Sequence, residues 1–151
     1  MSENEFDRRL RGFEQACRAR GLKVTHQRTE VFRELVGTED HPDAETVYQR
    51  VRERVPSISR DTVYRTLATL EREGLIRRAE AVTGPGRYDA NTERHHHFIC
   101  TSCGAIRDFT SRALDGLPLP RKLSNLGRVE SAQVQVRGIC SDCARANAAG
   151  R

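Results

Sequence analysis

The stretch RHHHFICTSC, residues 94–103, holds three consecutive histidines and then a Cys-x-x-Cys pair. Side chains alternate between the two faces of an extended strand, so His95 and His97 are predicted to point one way and His96 the other. The imidazole and thiolate groups lie only a few residues apart but suit different metal chemistry. We therefore interpret this segment as a wall shared by two metal sites.

The first pair, Cys100 and Cys103, is followed after 36 residues by a second pair, Cys140 and Cys143. Two such pairs can supply four thiolates in a tetrahedron, which makes a closed Zn²⁺ site with no open position for catalysis. Redox dithiols or disulfides are the alternative. The fifth cysteine, Cys17, lies on an apolar helical stripe and is interpreted as a buried structural thiol. A structural zinc would tie the end of the chain to the strand that carries the first pair.

The 151 residues carry a formal charge of +5, with a pI near 9.3. Residues 1–84 contribute 16 basic and 15 acidic side chains, whereas residues 85–151 contribute 10 and 6. A basic protein is compatible with a nucleic-acid partner. Because the N-terminal part is nearly neutral, a DNA-binding surface must arise from the placement of charges and not from their total.

No apolar run approaches the roughly 18 residues of a membrane span, so no membrane partner is expected. The N-terminal segment MSENEFDRRL is charged and lacks the apolar core of a signal peptide. We therefore expect a cytoplasmic protein. In that compartment, paired cysteines are more often metal ligands than disulfides.

Four helices are predicted in the first half of the chain. An apolar stripe over residues 5–20 gives the first, which ends at Gly21. Thr25 is the predicted N-cap of the second, Pro42 is the predicted first residue of the third, and Ser59 is the predicted N-cap of the fourth. The fourth helix should bury Val63, Leu67 and Leu70 and turn Tyr64, Arg65 and Arg72 outward. Two short helices, a turn and a helix with an arginine-rich outer face describe a helix-turn-helix.

Residues 75–80 and 86–90 flank a Thr-Gly-Pro-Gly turn and are predicted to form a hairpin, the wing of a winged helix. The wing arginines Arg77, Arg78 and Arg87 suit a place against the DNA backbone; the alternative is an ordinary solvated hairpin. Beyond residue 91, extended segments near 96–100, 105–110 and 132–138 bracket an irregular helical stretch around 112–127. A small α+β domain is expected there, with a frayed C-terminal tail.

His95 and His97 have candidate partners elsewhere in the sequence. These are the carboxylates Asp89 and Asp108 and the isolated His41. Each of the three has an ordinary structural explanation, as a turn residue, a surface strand residue or a residue before a helix. Together the five offer a mixed nitrogen and oxygen donor set suited to Fe²⁺, Mn²⁺ or Zn²⁺.

The helix SRDTVYRTL, the HxHxxCxxCG segment and the second Cys-x-x-Cys together resemble the ferric uptake regulator (Fur) family. The resemblance covers essentially the whole chain. It implies a homodimeric, metal-dependent repressor of double-stranded operator DNA, not an enzyme. Residues 1–84 would form a winged-helix DNA-binding domain, 85–93 the wing end and hinge, and 94–151 a dimerisation and metal-binding domain. The implied fold class is α+β, with the C-terminal domain stapled by a four-cysteine zinc site, one Zn²⁺ per subunit.

The resemblance also implies a regulatory site of His41, Asp89, His95, His97 and Asp108. Aspartate at position 108, where iron sensors of the family usually carry glutamate, resembles the peroxide-responsive (PerR) branch. Fe²⁺ there would catalyse oxidation of His41 or His95 by hydrogen peroxide, the signal, whereas Mn²⁺ would support repression without sensing. An additional metal site of some relatives lacks its ligands here, because Arg94 replaces a histidine.

From their side-chain chemistry, Tyr64 and Arg65 are expected at base edges and Arg60 and Arg72 at phosphates. For each arginine the alternative is a solvated surface charge. Lys23 resembles the family's minor-groove lysine.

Three alternatives to a peroxide-sensing repressor stay open. The first is an iron or zinc uptake regulator, which is favoured because Arg65 is common in iron-responsive relatives. The second is a small mononuclear metalloenzyme, and the third is a zinc-stabilised interaction module without regulation.

Overall fold

The computed structural model describes residues 1–79 and 84–150. The chain folds as two compact units, Met1–Thr92 and Glu93–Arg151. The division falls within the segment 85–93, which was predicted to contain the hinge. The functional roles of the two units stay predictions at this point.

The first unit begins with four helices: α1 (Glu3–Ala19), α2 (His26–Val36), α3 (Ala44–Arg54) and α4 (Arg60–Arg72). The predicted caps of α2 and α4 are confirmed, since Thr25 accepts the Arg28 N–H and Ser59 accepts the Thr62 N–H. The predicted start of α3 is wrong. The Asp43 carboxylate accepts the Thr46 N–H at 2.8 Å, so this side chain caps the helix and Pro42 lies outside it.

The predicted apolar stripes form one core in the first unit. Val63, Leu67 and Leu70 on α4 are fully buried, as the sequence pattern predicted. Phe13 of α1 stacks on Phe32 of α2 with ring centroids 4.1 Å apart. Cys17 is also fully buried, and this burial raises the pKa of its thiol. The interpretation of Cys17 as a structural thiol is therefore confirmed by its position.

The wing consists of β1 (Arg77–Ala79) and β2 (Arg87–Asp89), which pair antiparallel. The predicted hairpin is thus present. Two residues of that prediction, Glu80 and Thr83, lie outside the described residues. Four helices followed by a two-stranded wing confirm the winged helix.

The second unit is built on a three-stranded sheet with the order β4-β3-β5. Strand β3 (His96–Cys100) pairs antiparallel with β4 (Ile106–Phe109) and parallel with β5 (Gln135–Gly138). The predicted helical stretch is two short pieces, α5 (Arg112–Asp115) and a 3-10 helix (Arg121–Asn125). Gly116, Pro118 and Pro120 separate these two pieces.

The prediction of a frayed C-terminal tail is wrong, because residues Ser141–Ala149 form helix α6. This helix has an unusual N-cap: the sulfur of Cys140 accepts the backbone N–H of Cys143 at 3.4 Å. The second Cys-x-x-Cys pair therefore starts the helix as well as supplying thiols. The α+β fold class is confirmed. None of the helices in the described part of the chain combines the length and apolarity needed to cross a bilayer.

Candidate metal centres and nucleic-acid interface

The four paired cysteines meet in the second unit. Cys100 ends β3, Cys103 follows in a tight turn whose Gly104 has a φ of 76°, and Cys140 and Cys143 begin α6. The parallel register sets Cys100 opposite Gly138, which brings Cys140 to the end of the same sheet. The four sulfurs all lie within 4.8 Å of one another.

This arrangement passes a geometric test for zinc. Tetrahedral Zn²⁺ with Zn–S bonds of about 2.3 Å requires sulfur atoms about 3.8 Å apart. The Cys103 and Cys140 sulfurs are 3.9 Å apart. The Cys100 sulfur accepts the N–H groups of Cys103, at 3.5 Å, and Cys140, at 3.3 Å. These backbone donors lower the pKa of Cys100 to about 6, which favours the thiolate that a metal ion needs.

A second donor group in the same unit consists of His95, His97 and Asp108. The cross-strand register sets His97 directly opposite Asp108, and their Nε2 and Oδ1 atoms are 3.2 Å apart. The Nε2 atoms of His95 and His97 also lie 3.2 Å apart. The His95 Nδ1 faces the Glu93 carbonyl oxygen at 2.6 Å, so Nδ1–H can donate there while Nε2 keeps its lone pair. Two nitrogens and a carboxylate therefore converge, as metal ligands do.

His96 lies on the opposite face of β3, as the strand alternation predicted. Its Nδ1 accepts the Val134 N–H at 3.0 Å, and its Nε2 lies 2.9 Å from Asp115. The carboxylate of Asp115 also pairs with Arg94 at 3.3 Å. Both ring nitrogens of His96 are thus engaged within the protein. His96 is therefore interpreted as a bystander to metal binding.

The first unit contains a third donor group, which consists of His41 and Asp89. The His41 Nε2 is 3.2 Å from an Asp89 carboxylate oxygen, and the other oxygen of Asp89 accepts the Asn91 N–H at 2.8 Å. The His41 Nδ1 faces the Glu39 carbonyl at 2.9 Å. His41 and His95 thus have the same local geometry. In each, the carbonyl two residues earlier orients the ring through Nδ1 and leaves Nε2 to face other donor groups or a metal ion.

Sequence reasoning missed what holds His41 in place. This residue has a φ of 51°, a left-handed conformation that residues other than glycine adopt at a cost. Arg87 of β2 donates from its guanidinium to the carbonyls of Asp40 and His41. The Tyr88 N–H adds a bond to the Pro42 carbonyl at 3.0 Å. Strand β2, which ends at Asp89, is thereby tied to the loop that carries His41.

These contacts revise the expected use of the wing arginines. The guanidinium of Arg87 bonds the loop before α3, a role that the sequence did not predict, and its expected place against the DNA backbone stays a prediction. Arg78 pairs with Glu71 and with the Tyr88 hydroxyl. Arg77 is exposed on β1. No signal in the sequence could have revealed the role of Arg87, because that role depends on two distant segments meeting.

Four of the five candidate DNA-contacting residues lie on α4. Tyr64, Arg65 and Arg72 are exposed, and Arg65 pairs with Asp61 at 2.8 Å across one helical turn. Arg60, in the first turn, pairs with Glu45 of α3. Lys23 is exposed before α2, and its carbonyl accepts a bond from Arg28 at 2.8 Å. The outward face of α4 is therefore available to a polyanion.

Comparisons with known proteins agree with this arrangement. Residues 19–136 match the sequence profile of the "Ferric uptake regulator family". The Peroxide-responsive repressor PerR of Staphylococcus epidermidis is 30% identical over 129 residues, which are 85% of each chain. The structure of the Helicobacter pylori ferric uptake regulator Fur superposes with a TM-score of 0.70 at 26% identity, covering 92% of this chain and 93% of that one. A zinc-bound manganese uptake regulator gives a TM-score of 0.66 at 30% identity, with coverage of 85% and 98%.

Removal of the metal from the four-cysteine site should unfold the second unit selectively. We expect the purified chain to contain one zinc ion and Cys140→Ser to contain none, as measured by elemental mass spectrometry. Hydrogen exchange should show loss of protection in β3 and β5 of the zinc-free variant, because ligand binding stabilises the folded state. Helices α2 to α4 should stay protected. Cys17→Ala is the matched control and should keep its zinc; protected β3 amides in zinc-free Cys140→Ser would contradict the assignment.

Arg87→Met should weaken metal binding without unfolding the wing. The substitution keeps the aliphatic stem but removes the donors that hold the Asp40 and His41 carbonyls. Loss of a group that orients a ligand typically costs about 10- to 100-fold in metal affinity. Calorimetric titration with Mn²⁺ measures this effect. Arg77→Met, on the neighbouring strand, is the control and should bind Mn²⁺ like the wild type; equal affinities in both variants would show that Arg87 does not orient His41.

Proposed function

Because the chain belongs to the ferric uptake regulator family and is therefore a metal-dependent regulator, we propose that it represses oxidative-stress genes and senses hydrogen peroxide. The repressor would be a cytoplasmic homodimer on double-stranded operator DNA. The observation that carries the proposal is the pairing of Asp108 with His95, immediately before β3, and His97 within it, whose Nε2 atoms lie 3.7 Å and 3.2 Å from the Asp108 Oδ1. The similarity to a peroxide-responsive repressor supports it.

In this proposal one regulatory ion, Fe²⁺ or Mn²⁺, takes His41 and Asp89 from the first unit and His95, His97 and Asp108 from the second. The matched orientation of His41 and His95 by backbone carbonyls supports a shared ligand role. An ion held by both units favours one arrangement of the two DNA-binding domains in the dimer. A coupling of about 1–3 kcal/mol would change DNA affinity by about 5- to 150-fold.

Residues 94–151 would form the dimerisation domain, with Zn²⁺ in the four-cysteine site as its structural ion. A partner surface is supported by the exposed apolar residues of this unit. Large apolar side chains at least 40% exposed occur there at Leu117, Leu119, Leu126, Val129, Val136 and Ile139. A second copy would bury such side chains, which a monomer leaves in water.

Peroxide sensing would proceed by loss of a ligand. Bound Fe²⁺ supplies the redox chemistry that activates hydrogen peroxide beside the imidazoles. One peroxide oxygen enters the ring of His41 or His95 and the other leaves as water, so that two electrons pass from the ring to the peroxide. The oxidised ring would be a poorer ligand, so the remaining ligands would hold an ion less tightly and the dimer would lose the arrangement that binds DNA. Mn²⁺ reacts far less with peroxide and would maintain repression.

On DNA, residues 1–84 would place α4 in the major groove, with residues 85–93 as wing end and hinge. Tyr64 and Arg65 would contact base edges, through packing on thymine methyls and bidentate bonds to guanine. Arg60 and Arg72 would contact phosphates, and Lys23 the minor groove. Exposure of these five side chains supports the assignment.

The second candidate is an iron or zinc uptake regulator that uses the same ligands. The resemblance of Arg65 to iron-responsive relatives favours it, as does the likeness to the Helicobacter pylori ferric uptake regulator. A mononuclear metalloenzyme receives less support, because the similar proteins are named as repressors and uptake regulators.

Peroxide should modify and release only the iron-loaded protein. The reduced chain is loaded with Fe²⁺ or Mn²⁺ and bound to an operator duplex, and stoichiometric hydrogen peroxide is added. With iron, we expect the His41 or His95 peptide to gain one oxygen atom by mass spectrometry, and the duplex to dissociate. The manganese sample is the control and should do neither. Unmodified histidines together with persistent DNA binding in the iron sample would leave the uptake regulator as the better proposal.

Asp108→Glu should separate repression from peroxide sensing. Glutamate keeps a carboxylate ligand beside His97 but adds a methylene group, which changes how the donor meets the ion. We expect metal-dependent DNA binding to persist and histidine oxidation to fall severalfold in the same mass-spectrometric assay. Equal oxidation of the variant and the wild type would remove Asp108 as the reason to choose the peroxide-responsive branch.

A further inference from the structure

Glu45, in the first turn of α3, joins two of the residues proposed to contact DNA. One of its carboxylate oxygens accepts Arg60 Nε at 2.7 Å and the Tyr64 hydroxyl at 3.1 Å. Its other oxygen accepts Arg60 Nη2 at 2.9 Å and Gln49 Nε2 at 2.9 Å. A carboxylate offers about four acceptor positions, so these four donors occupy its capacity.

The pair is accessible to solvent and charged at ordinary pH. The side chains of Glu45 and Arg60 are 44% and 54% exposed. The Arg60 hydrogen bond, followed by that of Gln49, lowers the pKa of Glu45 to about 2. The Glu45 carboxylate is therefore ionised at neutral pH. Arg60 also lies over the Tyr48 ring, 4.6 Å from its centroid, so its position is fixed from two sides.

Arg60 is an unexpected residue for its place. It is the first residue of α4, where the helix dipole disfavours a positive charge and favours an anion. The fork formed by Nε and Nη2 faces Glu45, which offsets the Arg60 charge. A guanidinium has five N–H donors, so the edge beyond this fork still presents donors to a phosphate. The geometry lets Arg60 bond Glu45 and a phosphate at the same time.

We propose that Glu45 is a specificity-determining residue of the DNA interface, a positioning residue that acts through Arg60 and Tyr64. The inference rests on the proposed DNA-binding function of α4. By cancelling the Arg60 charge, Glu45 weakens attraction to any polyanion, which is the sequence-independent part of binding. By holding Arg60 and the Tyr64 hydroxyl on one carboxylate, it links a phosphate contact to a base contact. The charge cancellation lowers the affinity for every DNA sequence. Only a sequence that accepts both the Arg60 and the Tyr64 contact recovers that affinity.

The test compares Glu45→Gln with Glu53→Gln. Both remove one negative charge from α3, but Glu53 is exposed and makes no ion pair within the part of the chain that the structure describes. Mn²⁺-loaded wild type first selects a duplex from a random-sequence pool. Binding of each protein is then measured to that duplex and to a shuffled duplex of equal composition, over a series of salt concentrations.

Glu45→Gln should bind the shuffled duplex about three- to tenfold more tightly than wild type. The reason is that Arg60, once in each subunit of the dimer, no longer pairs with a carboxylate and can attract phosphates. Affinity for the selected duplex should change by less than about threefold. The salt dependence on the shuffled duplex should steepen by about 0.9 in log–log slope per subunit. Glu53→Gln should keep the wild-type ratio of the two affinities. Glu45→Asp keeps the charge but shortens the reach, and should lose affinity for the selected duplex only.

The outcomes separate the inference from the function on which it rests. If wild type enriches no sequence from the pool, the proposed DNA-binding function fails. If wild type enriches a sequence and Glu45→Gln retains the full ratio of affinities, or matches Glu53→Gln, the inference about Glu45 is overturned. A reduced ratio in Glu45→Gln, with wild-type thermal stability, supports it.

Discussion

The second unit depends on the meeting of four cysteine sulfurs at the end of strand β3. Among its described residues, the buried hydrophobic side chains are Ile99, Cys100 and Ile106. So small an apolar core supplies little of the stability that a domain needs, and small domains commonly make up the difference with a metal ion. The parallel strand β5 has no short turn to hold it against β3. Sulfur ligands at Cys100 and Cys140 close that long connection at the end of β3.

Alternate side chains along strand β3 have different roles, because they lie on opposite faces of the strand. One face presents His97, together with His95 just before the strand, toward Asp108, while the other packs His96 against Asp115 and the Val134 backbone. The bystander histidine thus fixes β3 to α5 and to the segment before β5. Since a shift by one residue would exchange the two faces, the His96 contacts protect the register on which the ligand pair depends.

Local sequence signals predicted much of the fold because they depend on neighbouring residues. Cap side chains, apolar stripes and Cys-x-x-Cys spacing act within one or two turns, so Ser59, Leu67 and the paired cysteines could be placed before the structure was known. Helix α6 was missed because its N-cap is a sulfur, which the usual capping preferences do not include. The left-handed His41 and its support by Arg87 were missed for another reason. They depend on a contact between residues 46 positions apart, and nothing in the local sequence encodes it.

Ion pairs between distant residues are also not encoded in the local sequence. They determine which positive charges of the nearly neutral first unit are available to bind DNA. Many of its basic residues are already paired: Arg54 with Glu30 and Glu34, and Arg50 with Asp40. These pairs join α3 to α2 and to the loop between the two helices, and they offset the charges of these two arginines. Under the proposed function, the arginines that contact DNA lie on α4, and two of them already have a carboxylate close by: Arg60 has Glu45 and Arg65 has Asp61. A surface of that kind attracts DNA weakly without regard to sequence, so discrimination between sites depends on geometry more than on net charge.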